Sequence, residues 1–417
     1  MWSLLTGQSA RGGYLAAVDQ GILSLSNFLA TIILARNVSP TELGVYGVGF
    51  IALRLVRAFQ EGLVVQPLNV FGAGMKLSAF RRYATSVSLL QIILALATAA
   101  LAAGLGWILT ALGNDTAGPA LFALWSAFWW WQLAEFIRRM LYTRGAVPQA
   151  LIITTVSNAV RLALMIWWVY QGTLTGIDGL YAIALGSMVG IIPGLWFTRI
   201  YWTKQPFNIL NTWRHNWKFG RWITGGLIAN WVSVEFYPIL TAGMVSFAAV
   251  GAYRALQNIL APIHTLLRAI DTYLTPRAAL SFRRNSYTAL NKTLRSAYLI
   301  TVMPVVGLLF LGILFRDQIL FLLYGDTYLP YSQGILIMAL YYALWYAYWP
   351  LQSAFKGARL SRPIFLANMA AIATMFTFGV LAIRAWDVYG TIAGQAINAL
   401  VINLVLWSTW RTILRKA

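Results

Sequence analysis

Runs of about 20 apolar residues recur along the whole chain, and they restrict its fold more than any other feature. In hydrocarbon every backbone N–H and C=O must be bonded within the protein, which leaves helices or a closed barrel. Barrel strands are about half this length and alternate in polarity. The runs therefore predict an all-α polytopic membrane protein of about twelve transmembrane helices. Spans are expected at 14–36, 44–66, 83–111, 119–142, 150–170, 178–202, 221–243, 249–275, 296–315, 332–355, 363–385 and 389–410. Composition agrees: 59% of the 417 residues are hydrophobic and 10% are charged, against about 25% charged in soluble domains. The longest stretches between spans, 203–220 and 276–295, are too short to fold alone. The start, Met1–Gly13, reads as an uncleaved end and not as a signal peptide, with one Arg and no small-residue cleavage site before a short apolar core.

The net charge of +20 suggests nucleic acid in a soluble protein, but here it follows the excess of Lys and Arg in cytoplasmic loops. With the N-terminus inside, 23 of the 31 basic residues fall on the cytoplasmic side, among them Arg138, Arg139, Lys204, Arg277, Arg283, Arg284 and Arg359. Three fall outside (Arg36, Arg316, Arg384) and five within spans. The loop acids Glu42, Asp115, Asp178, Asp317, Asp326 and Asp387 all fall outside. This alternation places both termini in the cytoplasm, in a membrane of the bacterial inner type. There is no cysteine, which excludes disulfides and thiolate metal sites, and the two histidines, His215 and His264, are too few for a His-rich site.

Short motifs repeat in order. Gly44-Val45-Tyr46 opens span 2 and Gly251-Ala252-Tyr253 opens span 8; each span ends with an acid and then a proline, Glu61 with Pro67 and Asp271 with Pro276. Asn114-Asp115 precedes span 4 as Gly325-Asp326 precedes span 10, and Gly145 and Gly357 follow them. Two six-helix lobes related by a parallel pseudo-twofold repeat, a common transporter plan, are expected: an N-terminal lobe over 1–202, a cytoplasmic linker over 203–220 and a C-terminal lobe over 221–417.

Polar residues within spans fall on helical faces. In span 8, Arg254, Gln257, Ala261, His264, Arg268 and Asp271 step by three and four, a stripe of about 25 Å at 1.5 Å per residue. Span 2 has Arg54, Arg57 and Glu61; span 1 has Gln20, Ser24, Asn27 and Thr31; span 7 has Asn230, Ser233, Tyr237 and Thr241; span 5 has Thr154, Asn158 and Arg161. Spans 3 and 9 read as nearly free of such faces. A central charge facing lipid costs about 2.5–3.5 kcal/mol even on lenient scales, so these faces meet partner helices or water. Arg57 with Glu61 and Arg268 with Asp271 can neutralise one another along their own helices, as structural or coupling pairs. Arg54 and Arg161 have no acid at helical spacing and are candidates for an anionic substrate; Arg254 either joins them or snorkels to the interface. His264 reads as a packing residue or a proton relay. Asp19, Glu135 and Glu235 read as coupling-ion sites or buried partners. Together the stripes favour a water-filled cavity lined by spans 1, 2, 7 and 8, with five basic and five acidic residues inside spans.

The aromatic run Trp129-Trp130-Trp131 and the cluster Tyr341, Tyr342, Trp345, Tyr346, Tyr348 and Trp349 fit interfacial belts and lipid contact, or sugar stacking. No phosphate-binding loop, HExxH, GxSxG or dinucleotide fingerprint is found. Neither an enzyme activity nor a cofactor, metal or nucleic acid is expected.

Three stretches resemble the polysaccharide transporters of the multidrug/oligosaccharidyl-lipid/polysaccharide (MOP) exporter superfamily. They are Ile33-Leu34-Ala35-Arg36 through Ser39-Pro40 to Leu43-Gly44-Val45-Tyr46, then Val250 to Asn258 ending at Pro276-Arg277, and Leu323-Tyr324-Gly325-Asp326-Thr327-Tyr328. The resemblance implies two six-helix lobes in a V with spans 1, 2, 7 and 8 around the cavity. It implies movement of a polyprenyl-diphosphate-linked sugar unit between leaflets. Leu43 stands where an aromatic is commoner. An end at the twelfth span argues against the peptidoglycan-precursor branch.

The leading expectation is a flippase for lipid-linked oligosaccharide in O-antigen or exopolysaccharide assembly, working by alternating access among membrane lipids and other polysaccharide-assembly proteins. The alternative is a multidrug/cation antiporter of the same superfamily, which would favour an acid-dominated cavity. A membrane-embedded sugar polymerase, the second alternative, would need a larger outer loop than 316–331.

Overall fold

The computed structural model describes residues 8–282, 287–358 and 360–416; 1–7, 283–286 and Arg359, with three of the expected cytoplasmic cations, lie outside the described residues. No strand occurs among the described residues. Span 1 is carried by α1 (Gln8–Asn37). Span 2 is carried by α2 (Pro40–Gln60) and α3 (Gln66–Gly72), joined through a π turn at Glu61–Val65. Spans 3 to 6 are α4 (Leu77–Ala111), α5 (Ala117–Thr143), α6 (Val147–Gln171) and α7 (Gly176–Thr198). Span 7 is α8 (Ile209–Glu235) with α9 (Tyr237–Met244), and span 8 is α10 (Phe247–Ile259) with α11 (Ala261–Phe282). Span 9 is α12 (Tyr287–Leu314). A short α13 (Arg316–Tyr324) and a 3-10 segment, Gly325–Tyr331, fill the outer loop before span 10, α14 (Gly334–Gly357). Spans 11 and 12 are α15 (Ser361–Thr374), a π turn at Met375–Gly379 and α16 (Val380–Lys416). The chain reverses inside α16 at Trp386–Asp387, where Asp387 holds φ 47°, a value non-glycine residues rarely adopt.

Local chemistry sets the boundaries. Gly113, Gly145 and Gly172 close spans 3, 4 and 5 with φ of +79°, +73° and +69°, the left-handed conformation glycine reaches without strain. Thr175 and Asp178 form a reciprocal capping box that opens span 6. Pro67 cannot donate to a carbonyl four residues back and its ring crowds it; the π turn before it, with the Gln66 amide on Glu61 O, absorbs the mismatch. Span 8 is not the single helix its stripe implied. Pro262 has the same effect there, and the helix breaks at Leu260, with the Ile263 amide on Leu260 O at 3.0 Å.

Among the described residues, seven helical stretches are long and apolar enough to cross a membrane, the last, Ser361–Arg415, holding two passes. The remaining expected spans are 2, 4, 7 and 8, those that carry charges or breaks. The protein is thus an all-α multi-pass membrane protein. The helix of span 7 starts at Ile209, inside the stretch read as a linker.

By packing, the chain divides into two units: Met1–Val38 with Val45–Ile228, and Ser39–Gly44 with Ala229–Ala417. In the first, span 1 packs on 5, span 2 on 3 and 4, 3 on 4, 4 on 6 and 5 on 6. In the second, span 7 packs on 11 through Tyr237, Met375 and Ile383, and 8 on 9 and 10, 9 on 10, 10 on 12 and 11 on 12. Each pairing recurs six helices later. The first unit's core gathers Leu68, Phe80, Tyr83, Ile137, Met140 and Ile153. In the second, Gly44 and Gly251, the repeat-related glycines, meet at one crossing. A Cβ on Gly44 would lie 1.7 Å from Phe247 O, and one on Gly251 would lie 2.0 Å from Pro40 O, so only glycine permits this approach.

Candidate functional site

In the first unit the spacing of Glu135, Arg138 and Arg139 on α5 builds a buried ionic cluster. Arg138 donates to Glu135 at 2.8 Å and also to Asp19 of α1; Arg139 Nε reaches Glu135 Oε1 at 2.9 Å, and Arg57 Nη2 reaches the same oxygen at 3.3 Å. The Tyr142 hydroxyl donates to Asp19 Oδ2 at 2.7 Å. Asp19, Glu135 and Arg138 are all buried. Two expectations are corrected here. Arg57 pairs with Glu135 and not with Glu61, which accepts from Gln66 Nε2, five residues on across the π turn, at 2.8 Å. Arg138 and Arg139 are not free loop cations, because the first turn beyond them already lies within α5, where both face Glu135. Their i, i+3 and i, i+4 spacing from Glu135 is the signal that could have identified them, and the charge map passed over it. Asp19 and Glu135 are buried ion-pair partners.

A second constellation is set deeper. Arg161 of α6 donates to Asn27 Oδ1 of α1 at 2.8 Å and to the Tyr46 hydroxyl of α2. It is 5% exposed, its two partners are neutral, and among the described residues no carboxylate lies within ion-pair distance of it. Two sequence candidates thus meet, with Tyr46 of the repeated Gly-x-Tyr motif as the third member. At the far end of α2, Gln60 Nε2 donates to Gln91 Oε1 at 3.0 Å and to Gln132 O at 2.7 Å, while Gln132 Nε2 donates to Thr98 at 2.8 Å. Span 3 therefore presents a polar face that its sequence did not show, since isolated Gln91 and Thr98 stand out only against spans 2 and 4. Arg54 is half-buried with its guanidinium over the Phe50 ring, 5.4 Å from the centroid.

In the second unit Arg254 Nη1 donates to Gln257 Oε1 at 2.8 Å, and Gln257 Nε2 to the Tyr253 hydroxyl at 2.9 Å. Gln395 of span 12 donates to that hydroxyl at 2.9 Å and to Val234 O at 3.1 Å. Glu235, half-buried, follows at the end of α8. Asn230, also half-buried, gives its carbonyl to the Ser233 hydroxyl at 2.9 Å. Sequence spacing missed Tyr253 and Gln395, which lie off the stripe and on a distant span.

His264 packs edge-on against Tyr342 and Trp345, with centroids 5.2 and 4.5 Å away. The span 10 aromatics lie mostly inside the second unit and not on its surface as a belt would. Tyr341, Tyr342, Trp345, Tyr346 and Tyr348 are buried, and Trp349 Nε1 donates to Leu267 O at 2.7 Å, the carbonyl lying about two turns beyond the helix break. Asp271 pairs with Lys356 Nζ at 3.3 Å and accepts from Ser353 and Thr275. The expected pairing with Arg268 is replaced, because Arg268 is turned to the exposed face of α11 while Asp271 faces α14. Among the described residues no cluster of His, Asp or Glu suits a metal ion.

A family model described as polysaccharide biosynthesis protein matches residues 33–333. Among solved structures, the chain is similar to an inward-facing multidrug resistance MATE-family transporter of the MOP superfamily, with TM-score 0.77 and 14% identity over 94% of each chain. It is similar to the lipid II flippase MurJ in an inward closed conformation, with TM-score 0.72 and 15% identity over 94% of this chain and 86% of that one. A MOP-superfamily transporter from Pyrococcus furiosus, described as having a binding pocket of reverse polarity, aligns with TM-score 0.65 and 13% identity over 99% of this chain and 97% of that one. No curated protein matches the chain by sequence. With a family match over most of its length, the chain belongs to the polysaccharide biosynthesis protein family, and its helix order and repeated packing give it the fold shared by the MATE-family transporter and MurJ.

Proposed function

We propose that the chain is a flippase that moves polyprenyl-diphosphate-linked oligosaccharide units from the cytoplasmic to the outer leaflet of a bacterial inner membrane, by alternating access and with both termini in the cytoplasm. The observation that carries this reading is Arg161: a buried guanidinium held only by the neutral Asn27 and Tyr46. Burying such a charge without a counter-ion is costly, and an incoming diphosphate supplies one, with oxygens that match the planar fork. Arg54, ten residues into the expected span 2 and so about 15 Å deep at 1.5 Å per residue, lies about two turns further along α2 from Tyr46. The basic excess of the α5 cluster, three arginines to two acids, speaks for an anionic cargo over the cation antiporter.

The test is export of surface polysaccharide by variants that accumulate normally in the membrane. Arg54→Ala and Arg161→Ala should abolish it and leave lipid-linked units on the cytoplasmic face. Arg54→Lys should retain part, because charge survives and the fork does not. Full export by both well-expressed alanine variants would refute the anion contact, and drug efflux without loss of polysaccharide would favour the antiporter.

A further inference from the structure

We propose that the hairpin of spans 8 and 9 holds a regulatory or structural phospholipid, by its phosphate, in a cleft separate from the residues assigned above. The cleft encloses about 330 Å³ between α11 and α12 and is lined by Arg277, Ser281, Thr293, Ser296 and Ile300, with Leu280 and Ala297 at its walls. Its polarity is graded. At the end nearest the hairpin turn, the hydroxyls of Ser281 and Thr293 meet at 2.8 Å. Arg277 lies one turn further along α11, and Ser296 one turn along α12. Beyond them the wall becomes apolar, and the exposed face of α12 continues as Ile300, Met303, Val306 and Phe310, which are 66, 76, 51 and 60% exposed.

Hydroxyls and a guanidinium are the donors that grip a phosphodiester, and an apolar furrow that begins where they end fits an acyl chain. The cations Lys292 and Arg295 flank the cleft on the same helix, and the stretch 276–295 contains no acid. That charge complementarity selects an anionic glycerophospholipid over a zwitterionic one, whose own ammonium would be repelled. A soluble phosphate lacks the chain that the furrow receives.

Purified full-length protein would be exchanged into mixed micelles containing phosphatidylglycerol and phosphatidylcholine, and bound lipid counted by native mass spectrometry. Retention should favour phosphatidylglycerol by about tenfold, the worth of one or two charge-assisted hydrogen bonds. Ser281→Ala with Thr293→Ala, and separately Arg277→Gln, should each erase most of that preference, while Arg277→Lys keeps part of it. Loss of secondary structure in the double variant would shift the decision to the Arg277 pair, whose side chain is exposed. Equal retention of both lipids, an unchanged preference in folded variants, or displacement of the lipid by millimolar inorganic phosphate would overturn the proposal. Because none of these residues is among those assigned to the substrate, polysaccharide export can fail or persist independently of this result.

Discussion

Arg138 shows how one side chain decides the state of several others. It bridges Asp19 and Glu135 inside the first unit, and both acids are buried. Removing one member of such a group leaves an uncompensated charge, which costs about 3–5 kcal/mol. Arg138→Gln should therefore lower the unfolding free energy by about that amount, whereas Arg138→Gln with Asp19→Asn should recover part of it; chemical denaturation in detergent micelles reads both. A double variant no more stable than the single one would mean that Asp19 is not the partner that matters. The same logic moves the natural companion of an Arg57 substitution from Glu61 to Glu135, because the ion pair follows the tertiary contact and not the helical spacing. Spacing on one helix was a good guide to Arg254 with Gln257, where both members share an unbroken helix. It failed for Arg57–Glu61 and Arg268–Asp271, where another helix offers a partner, Glu135 to Arg57 and Lys356 to Asp271.

At the scale of elements, the breaks matter as much as the helices. Leu260 and Leu267 are 2 and 0% exposed, whereas Ala261 is half-buried and Arg268 exposed, so the polar stripe survives the break at Leu260. Cysteines at Ala261 and Arg268 should react with a small polar thiol reagent and those at Leu260 and Leu267 should not, against a cysteine-free background. His264→Cys is a poor reporter, since its position is enclosed by Tyr342 and Trp345. Equal labelling at the four positions would show that the stripe does not face water. The Gly44–Gly251 crossing makes a second prediction. A methyl at either position meets a backbone oxygen at 2.0 Å or less, so Gly251→Ala should force the helices apart and cost about 1–3 kcal/mol. Gly74→Ala, where nothing lies within 4 Å, should be neutral. Comparable thermal stability of the two variants would remove the close approach from the account.

For the molecule as a whole, the charge map makes the sharpest statement. A reporter active only outside the cytoplasm, fused after Gly113, Ile177 or Asp326, should be active, and one fused after Lys416 silent. Activity at Lys416 would break the even number of passes and with it the six-helix repeat. The repeat is supported independently by packing, since spans 1 on 5, 3 on 4 and 4 on 6 recur as 7 on 11, 9 on 10 and 10 on 12. The division into units is subtler than any linear cut. Ser39–Gly44, at the head of span 2, belongs with the second half, and the first 20 residues of α8 belong with the first, where Asn216 accepts from the Tyr83 hydroxyl at 3.0 Å.

Sequence alone determined the class of the fold, the number and order of spans and the family, because a bilayer imposes length and polarity on every segment separately. Each of those properties is local and can be read one helix at a time. Only the tertiary structure decided which polar groups meet. Arg161 with Asn27 and Tyr46, Gln60 with Gln91, and Tyr253 with Gln395 join residues from different helices. The buried fate of the span 10 aromatics was likewise hidden, since belt, platform and core positions share one composition. In hydrocarbon a polar side chain takes whatever partner packing brings within reach, and that choice rests on how helices cross, which no single span encodes.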